Sequence, residues 1–230
     1  MKTLILATRN PGKAREFSQL LAPLGYEVLT ALQAGYDAEP EETGTTFRAN
    51  AEIKARAVWA GTGGRHAVLA DDSGLEVDAL DGAPGVHSAR YAGPGATDDD
   101  NNKKLARSLS GVTDPGARTA RYRIALCLLR ARPGAEPMAS WVRSTGEAPV
   151  SQPPHSAAAH LFEGVCEGLI GFEERGDGGF GYDVLFIPTG ADGKALDGRT
   201  FAEMTAEEKH PLSHRGQAVR ALVDFLRRHE

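Results

Sequence analysis

With 230 residues, 41% of them hydrophobic and 25% charged, the chain has material for one large domain or two small ones and is too apolar for wholesale disorder. A net charge of −5 argues against a protein that lives on nucleic-acid backbones, although a small anionic substrate can still be met by local cations. No apolar stretch approaches the roughly 18 residues of a membrane span.

Strand-like and helical segments alternate along the chain, the pattern of an α/β fold. The apolar start, Leu4-Ile5-Leu6-Ala7, reads as a first strand and is too short for a signal peptide, so a cytoplasmic protein with no membrane attachment is expected. Phe17, Leu20, Leu21 and Leu24 fall at helical spacing and predict a helix from Pro11 to Leu24. A second helix is expected over Thr46 to Trp59, followed by a short buried strand from Ala67 to Ala70. Thr97-Asp98-Asp99-Asp100 has the form of a capping box, which assigns these aspartates to a helix start and not to catalysis. Further strands are expected over Arg121 to Leu129, Glu163 to Glu173 and Val184 to Ile187, and a last helix over His214 to Arg228. Residues 132–160 hold five prolines among many Ala and Ser. They read as a long surface loop or extended hairpin inserted in one domain spanning 1–230, not as a domain boundary. Cys127 and Cys166 have no metal-like spacing and read as buried reduced thiols.

Ala70-Asp71-Asp72-Ser73-Gly74-Leu75-Glu76-Val77-Asp78 carries the strongest chemical signal. Two adjacent carboxylates at the expected carboxyl end of a strand repel one another unless a cation, a shared proton or open solvent relieves them. Two readings fit these residues alone: a Mg²⁺-dependent site, or a solvated Asp-Asp-Ser-Gly turn. Two helix starts carry cations where the helix dipole disfavours them. Asn10 is a good N-cap, Pro11 suits the first helical position, and Lys13 then lies in the first turn. Ser213 likewise precedes His214-Arg215. Phosphate bound at such an end would explain both cases. The segment is not a Walker A loop, because the second glycine and the Ser/Thr after lysine are missing. Asn50 and Lys54, spaced i, i+4, share a helix face, and Glu41-Glu42 just before that helix is either an acidic lead-in or part of a metal shell with Asp72. Gly178-Gly179-Phe180-Gly181-Tyr182-Asp183 is a glycine-lined turn whose aromatics either stack on a base or fill the core. The seven histidines are dispersed, so no zinc site is expected.

Taken together, six segments in order resemble the XTP/dITP diphosphatase or inosine triphosphate pyrophosphatase family. They are Thr8-Arg9-Asn10-Pro11-Gly12-Lys13; Glu41-Glu42-Thr43-Gly44 with Phe47 and Asn50; Ala70-Asp71-Asp72-Ser73-Gly74-Leu75; Gly82 to Tyr91; Gly179-Phe180-Gly181-Tyr182-Asp183; and Lys209 with Ser213-His214-Arg215. The resemblance implies an elongated mixed sheet flanked by helices, with two lobes around a central nucleotide-binding cleft. It implies a homodimer with no nucleic-acid partner, acting on a purine nucleoside triphosphate. The implied reaction is Mg²⁺-dependent cleavage of ITP, dITP or XTP between the α- and β-phosphates, giving the monophosphate and pyrophosphate. Asp72 is then the proton acceptor and, with Glu42, a metal ligand, and Asp71 is a supporting carboxylate. Thr8, Arg9, Asn10, Pro11, Gly12, Lys13 and Lys54 would handle the triphosphate. Ser73, Phe180, Gly181, Tyr182, Asp183, Lys209, His214 and Arg215 would line the nucleotide pocket.

The chain departs from the family pattern in three places. Ala49 stands where a glutamate is frequent, and Glu52 is the nearby acid expected to replace it in part. Val184 follows Gly-Tyr-Asp where proline is usual, and residues 132–160 form a longer segment than the family pattern predicts.

Overall fold

The computed structural model describes residues 2–9, 11–131 and 157–229. A six-stranded sheet has the order β2-β1-β3-β4-β5-β6, with β1 at Lys2–Leu6, β2 at Tyr26–Thr30, β3 at Ala67–Val77, β4 at Thr119–Ala131, β5 at Ala157–Ile170 and β6 at Phe186–Pro188. The α-helices are α1 (Pro11–Leu21), α2 (Phe47–Gly61), α3 (Asp98–Ser108), α4 (Ala206–Leu212) and α5 (His214–His229). β1 runs parallel to both β2 and β3, whereas β5 and β6 are antiparallel. The sheet is therefore mixed, as expected. The chain forms two compact units: Met1–Asp72, Ala125–Phe162 and Leu222–Glu230 make the first, and Ser73–Ile124 with Glu163–Ala221 make the second.

In the first unit, Leu4, Ile5 and Leu6 are all buried. A continuous apolar run of this kind suits a parallel strand covered on both faces. Helix α1 buries Phe17 and Leu21 and stops at Leu21, three residues short of the expected Leu24. Ala22–Leu24 tighten into a 3₁₀ turn, because Pro23 supplies no N–H and disfavours α geometry before it. Helix α2 begins where expected: the Thr46 hydroxyl accepts the Ala49 N–H at 3.1 Å, and Ala51, Ala55 and Val58 form its buried stripe.

The third strand corrects the sequence reading. It does not end at Ala70 but continues to Val77, so Asp71 and Asp72 sit mid-strand and Ser73-Gly74 is no turn. Leu75 and Val77 are fully buried on either side of half-buried Glu76, the period-two alternation that keeps an extended chain in the sheet. That alternation outweighed the turn propensity of Ser-Gly.

In the second unit, Leu75, Val77, Leu105, Leu109, Tyr122, Tyr182, Phe186 and Phe201 belong to one buried cluster. The capping box over Thr97 and Asp100 is present. β5 starts six residues before the expected Glu163 and ends at Ile170, short of Glu173, and the last expected strand shifts to Phe186–Pro188 behind a 3₁₀ turn, Gly181–Val184. β2 and α4 were not anticipated. α4 nonetheless carries a readable start, with Thr205 and Glu208 forming a capping box. Residues 132–156 of the expected insertion lie outside the described residues.

Candidate active site

The acidic cluster of the first unit is built on β3, α1 and α2. Neighbouring strand residues project to opposite faces, and the two aspartates are relieved by different lysines. Lys13, in the first turn of α1, reaches Asp71 Oδ2 at 2.5 Å, and the Asp71 side chain is only 2% exposed. Lys54, two turns into α2, places Nζ 3.1 Å from Asp72 Oδ1 and 2.9 Å from Glu42 Oε1. The carboxylates that the sequence left open as a solvated turn are therefore buried and ion-paired.

Asn50 holds the acidic loop from below, because its Oδ1 accepts the Gly44 N–H at 2.8 Å. A Cβ at position 44 would lie 2.5 Å from that oxygen, so this approach requires glycine. The other Asp72 oxygen, Oδ2, is buried without a well-aligned donor among the described residues, and the Asn50 Nδ2 donor is buried without a well-aligned acceptor. The Asn50 side chain still favours the charged form of the Asp72 carboxylate. Burial raises the Asp72 carboxyl above the usual carboxylate range; Lys54 opposes that rise, and Glu42 adds to it. Burial pulls Lys54 down, but Asp72, Asp71 and Glu42 together hold its ammonium above the ordinary lysine value.

A cavity of about 410 Å³ in this unit is lined by Thr8, Arg9, Lys13, Glu42, Lys54 and Asp71 among others. It gathers most of the phosphate- and metal-handling residues expected from sequence. Within that cavity Arg9 donates to the Asp37 carbonyl and pairs with the exposed carboxylates of Asp37 and Glu39, at 3.4 and 3.8 Å. Asn10 lies outside the described residues, and Pro11 and Gly12 open α1. Glu52 does not stand in for an acid at position 49, because its carboxylate takes Arg56 Nε at 2.8 Å and Nη2 at 2.6 Å.

No group of three or more His, Cys, Asp or Glu side chains is placed to hold a metal among the described residues. The candidate metal ligands are instead the pair Glu42 and Asp72, now sharing one ammonium. Hard carboxylate oxygens, one of them buried without a well-aligned donor, fit a cation that takes one or two protein carboxylates and completes its shell with phosphate and water.

The second unit carries a different cluster. Phe180 is 54% exposed, with Lys209 Nζ 5.4 Å from its ring centre and the Arg215 guanidinium at 5.2 Å. Asp183 is buried, and its Oδ2 accepts Lys209 Nζ at 2.5 Å and the Phe180 N–H at 3.0 Å. Gly179, with φ +74°, lies so close that a Cβ would come within 2.1 Å of that carboxylate. Asp98 and Asn102 on α3 clamp Gly181, one accepting its N–H at 2.7 Å and the other donating to its carbonyl at 3.0 Å. Asp98 thus does more than start a helix. Tyr182 takes the core alternative: its hydroxyl donates to the Ser88 carbonyl at 2.8 Å in a buried position. Ser213 caps α5 as expected, accepting the Gly216 N–H at 3.0 Å, and His214 and Arg215 are buried behind it. Ser73 is half-buried on β3. Sequence reasoning missed Tyr122 on β4, whose ring stacks on His214 with centroids 4.8 Å apart and planes at 11°. An aromatic in an alternating strand reads as core, and nothing local distinguished it.

The fold and these clusters define an α/β protein that sets lysines against buried carboxylates in one unit and an exposed aromatic flanked by cations in the other. The chain belongs to the Ham1 family, whose model matches residues 4–225. It is 46% identical over 219 residues to a dITP/XTP pyrophosphatase of an Exiguobacterium species, spanning 95% of this chain and 94% of that one. It is 44% identical over 227 residues to the dITP/XTP pyrophosphatase of Exiguobacterium sibiricum, spanning 97% and 98%. Among solved structures, a HAM1 protein from Coxiella burnetii is 35% identical with a TM-score of 0.78, over 99% of this chain and 100% of that chain.

Proposed function

We propose that this chain hydrolyses ITP, dITP and XTP to the monophosphate and pyrophosphate, clearing deaminated purines from the nucleotide pool. The observation that carries the reading is Asp72 Oδ2, a buried carboxylate oxygen without a well-aligned donor among the described residues, beside Lys54 and Glu42. Leaving such an atom unsatisfied costs on the order of 1–3 kcal/mol or more, a cost that a bound cation or a proton in transit would offset. The dITP/XTP pyrophosphatases aligned along nearly the whole chain support the same reading.

Thr8, Lys13 and the start of α1 receive the triphosphate, since backbone N–H groups and an ammonium there complement anionic oxygens. Glu42 and Asp72 would hold a divalent cation, magnesium by their hard-oxygen chemistry, which when bound supplies Lewis acidity and offsets phosphate charge. Asp72 takes the proton from the attacking water, a role that a weak base can fill where a bound cation would acidify that water. Lys54 bonds and orients both Glu42 and Asp72, and Lys13 meets charge developing on the leaving pyrophosphate. In the second unit, Phe180 offers its face to a purine. His214 and Arg215 supply donors for O6; an adenine amino group would meet donors with a donor and be rejected. The reading includes a homodimer in the cytoplasm, supported by family resemblance; no described helix is long and apolar enough to cross a membrane.

Pyrophosphate release from ITP, dITP, XTP, GTP, ATP and TTP, with Mg²⁺ and then with excess chelator, tests this reading. The expected result is fast release from the first three, slow release from the others and none after chelation. Preference for TTP would replace the substrate class, and binding of ITP without turnover would make the chain a nucleotide-binding module.

A further inference from the structure

Asp183 and His214 each stand in the base-handling cluster, and one side chain touches both. Tyr122 stacks its ring face on His214, tilts against Phe186 at 4.6 Å, and lies over Phe201 at 6.2 Å and 15°. Its hydroxyl donates to the Asp183 carboxylate, and it is held protonated there by burial and by that charge. Asp183 therefore receives three donors: Lys209, the Phe180 N–H and Tyr122. A buried carboxylate saturated in this way is fixed in place, and it fixes the turn bearing Phe180 and the ammonium of Lys209. The flat face against His214 leaves the imidazole little rotational freedom about its own plane.

We infer that Tyr122 is a positioning residue for base selection, joining the Phe180–Asp183–Lys209 wall to His214 so that stacking face and donors keep one geometry. The inference rests on the proposed reading that this cluster takes the purine. It makes no claim on the chemical step, because Tyr122 touches none of the residues assigned to it. A loosened base wall should show in KM and in preference among bases, with kcat preserved.

The test is KM and kcat for ITP, GTP and ATP in wild type, Tyr122→Phe and Tyr122→Leu, each checked for native circular dichroism. Tyr122→Phe keeps the stack and removes one charge-assisted hydrogen bond. It should raise KM for ITP about 3- to 10-fold and lower the preference over ATP by a similar factor, with kcat within about twofold. Tyr122→Leu removes the flat face as well and should lose preference further, so it remains informative should the first variant fold poorly. Wild-type KM and preference in both variants would overturn the inference. So would an equal fall in kcat for all three nucleotides at unchanged KM, the mark of a purely structural role. A wild type that does not prefer ITP over ATP would instead remove the proposed function itself, and the positioning role with it.

Discussion

Each unit holds a buried aspartate with a lysine ammonium 2.5 Å from one oxygen: Lys13–Asp71 in the first and Lys209–Asp183 in the second. The pairs look alike, but their surroundings differ. Asp183 receives three donors, Lys209, the Phe180 N–H and Tyr122. Next to Asp71 stands Asp72, with one oxygen on Lys54 and the other, Oδ2, without a well-aligned donor among the described residues; beyond Lys54 the carboxylate has only the Asn50 side chain as a donor among them. A saturated buried carboxylate is an anchor, whereas an unsaturated one is a place for a ligand or a proton. The number of donors, not burial or an ion pair alone, separates the group that organises a wall from the group that does chemistry.

Removing the unsaturated carboxylate should produce the largest effect. Asp72→Asn keeps the shape and loses the charge and the proton acceptor, so kcat for ITP should fall on the order of 10³-fold. Nucleotide affinity, measured by calorimetry with the non-turning-over variant, should stay within a few-fold. Turnover near the wild-type rate would take Asp72 out of the mechanism and erase the contrast with Asp183.

The two lysine–aspartate pairs should then respond differently. Lys13→Met removes the ammonium paired with an almost fully buried carboxylate and should cost about 3 kcal/mol in urea unfolding, along with a raised KM for every triphosphate. Asp183→Asn still accepts from the Phe180 N–H and Tyr122, and the partly exposed Lys209 can turn to water. Its stability cost should be nearer 1–2 kcal/mol, and its kinetic effect should fall on preference among bases. If both variants shift KM for all nucleotides equally, the division into a phosphate-handling unit and a base-handling unit is wrong.

Much of the candidate site was legible because its parts sit at the ends of local elements. Lys13 opens a helix marked by Pro11, Lys54 shares a helix face with Asn50, and Ser213 announces α5. Each signal is local, and the fold brought Lys13, Glu42, Lys54, Asp71 and Asp72 together as expected. What was not legible was long-range. Whether Asp71-Asp72 lay in a turn or in a strand depended on pairing with distant strands. Arg9 was drawn to the 37–39 loop by carboxylates that no motif flagged. Asp98 met Gly181 across 83 positions, and Tyr122 met Asp183 through the sheet. Propensity sees neighbours in sequence, and these contacts are settled by neighbours in space.

The smallest expected effect uses the two cysteines, one in each unit, as separate probes. Cys127 is buried on the part of β4 that belongs to the first unit, and Cys166 is buried on the part of β5 that belongs to the second. Burial pushes both thiols up to about 12, with Glu52 adding to the rise at Cys127 and Glu167 at Cys166. A raised thiol pKa means less thiolate at any pH below it, so at pH 8 only about one part in 10⁴ would be reactive, against roughly a quarter for a free thiol near 8.5. Native protein should therefore consume almost no Ellman reagent, and denatured protein should release two equivalents. In the single-thiol variants Cys166→Ser and Cys127→Ser, residual labelling reports the opening of the first and second unit respectively. Lys13→Met should speed labelling of Cys127 and leave Cys166 slow, while Asp183→Asn should do the reverse. Equal acceleration of both thiols by either substitution would mean that the units open as one, and that the two anchors stabilise a single cooperative body.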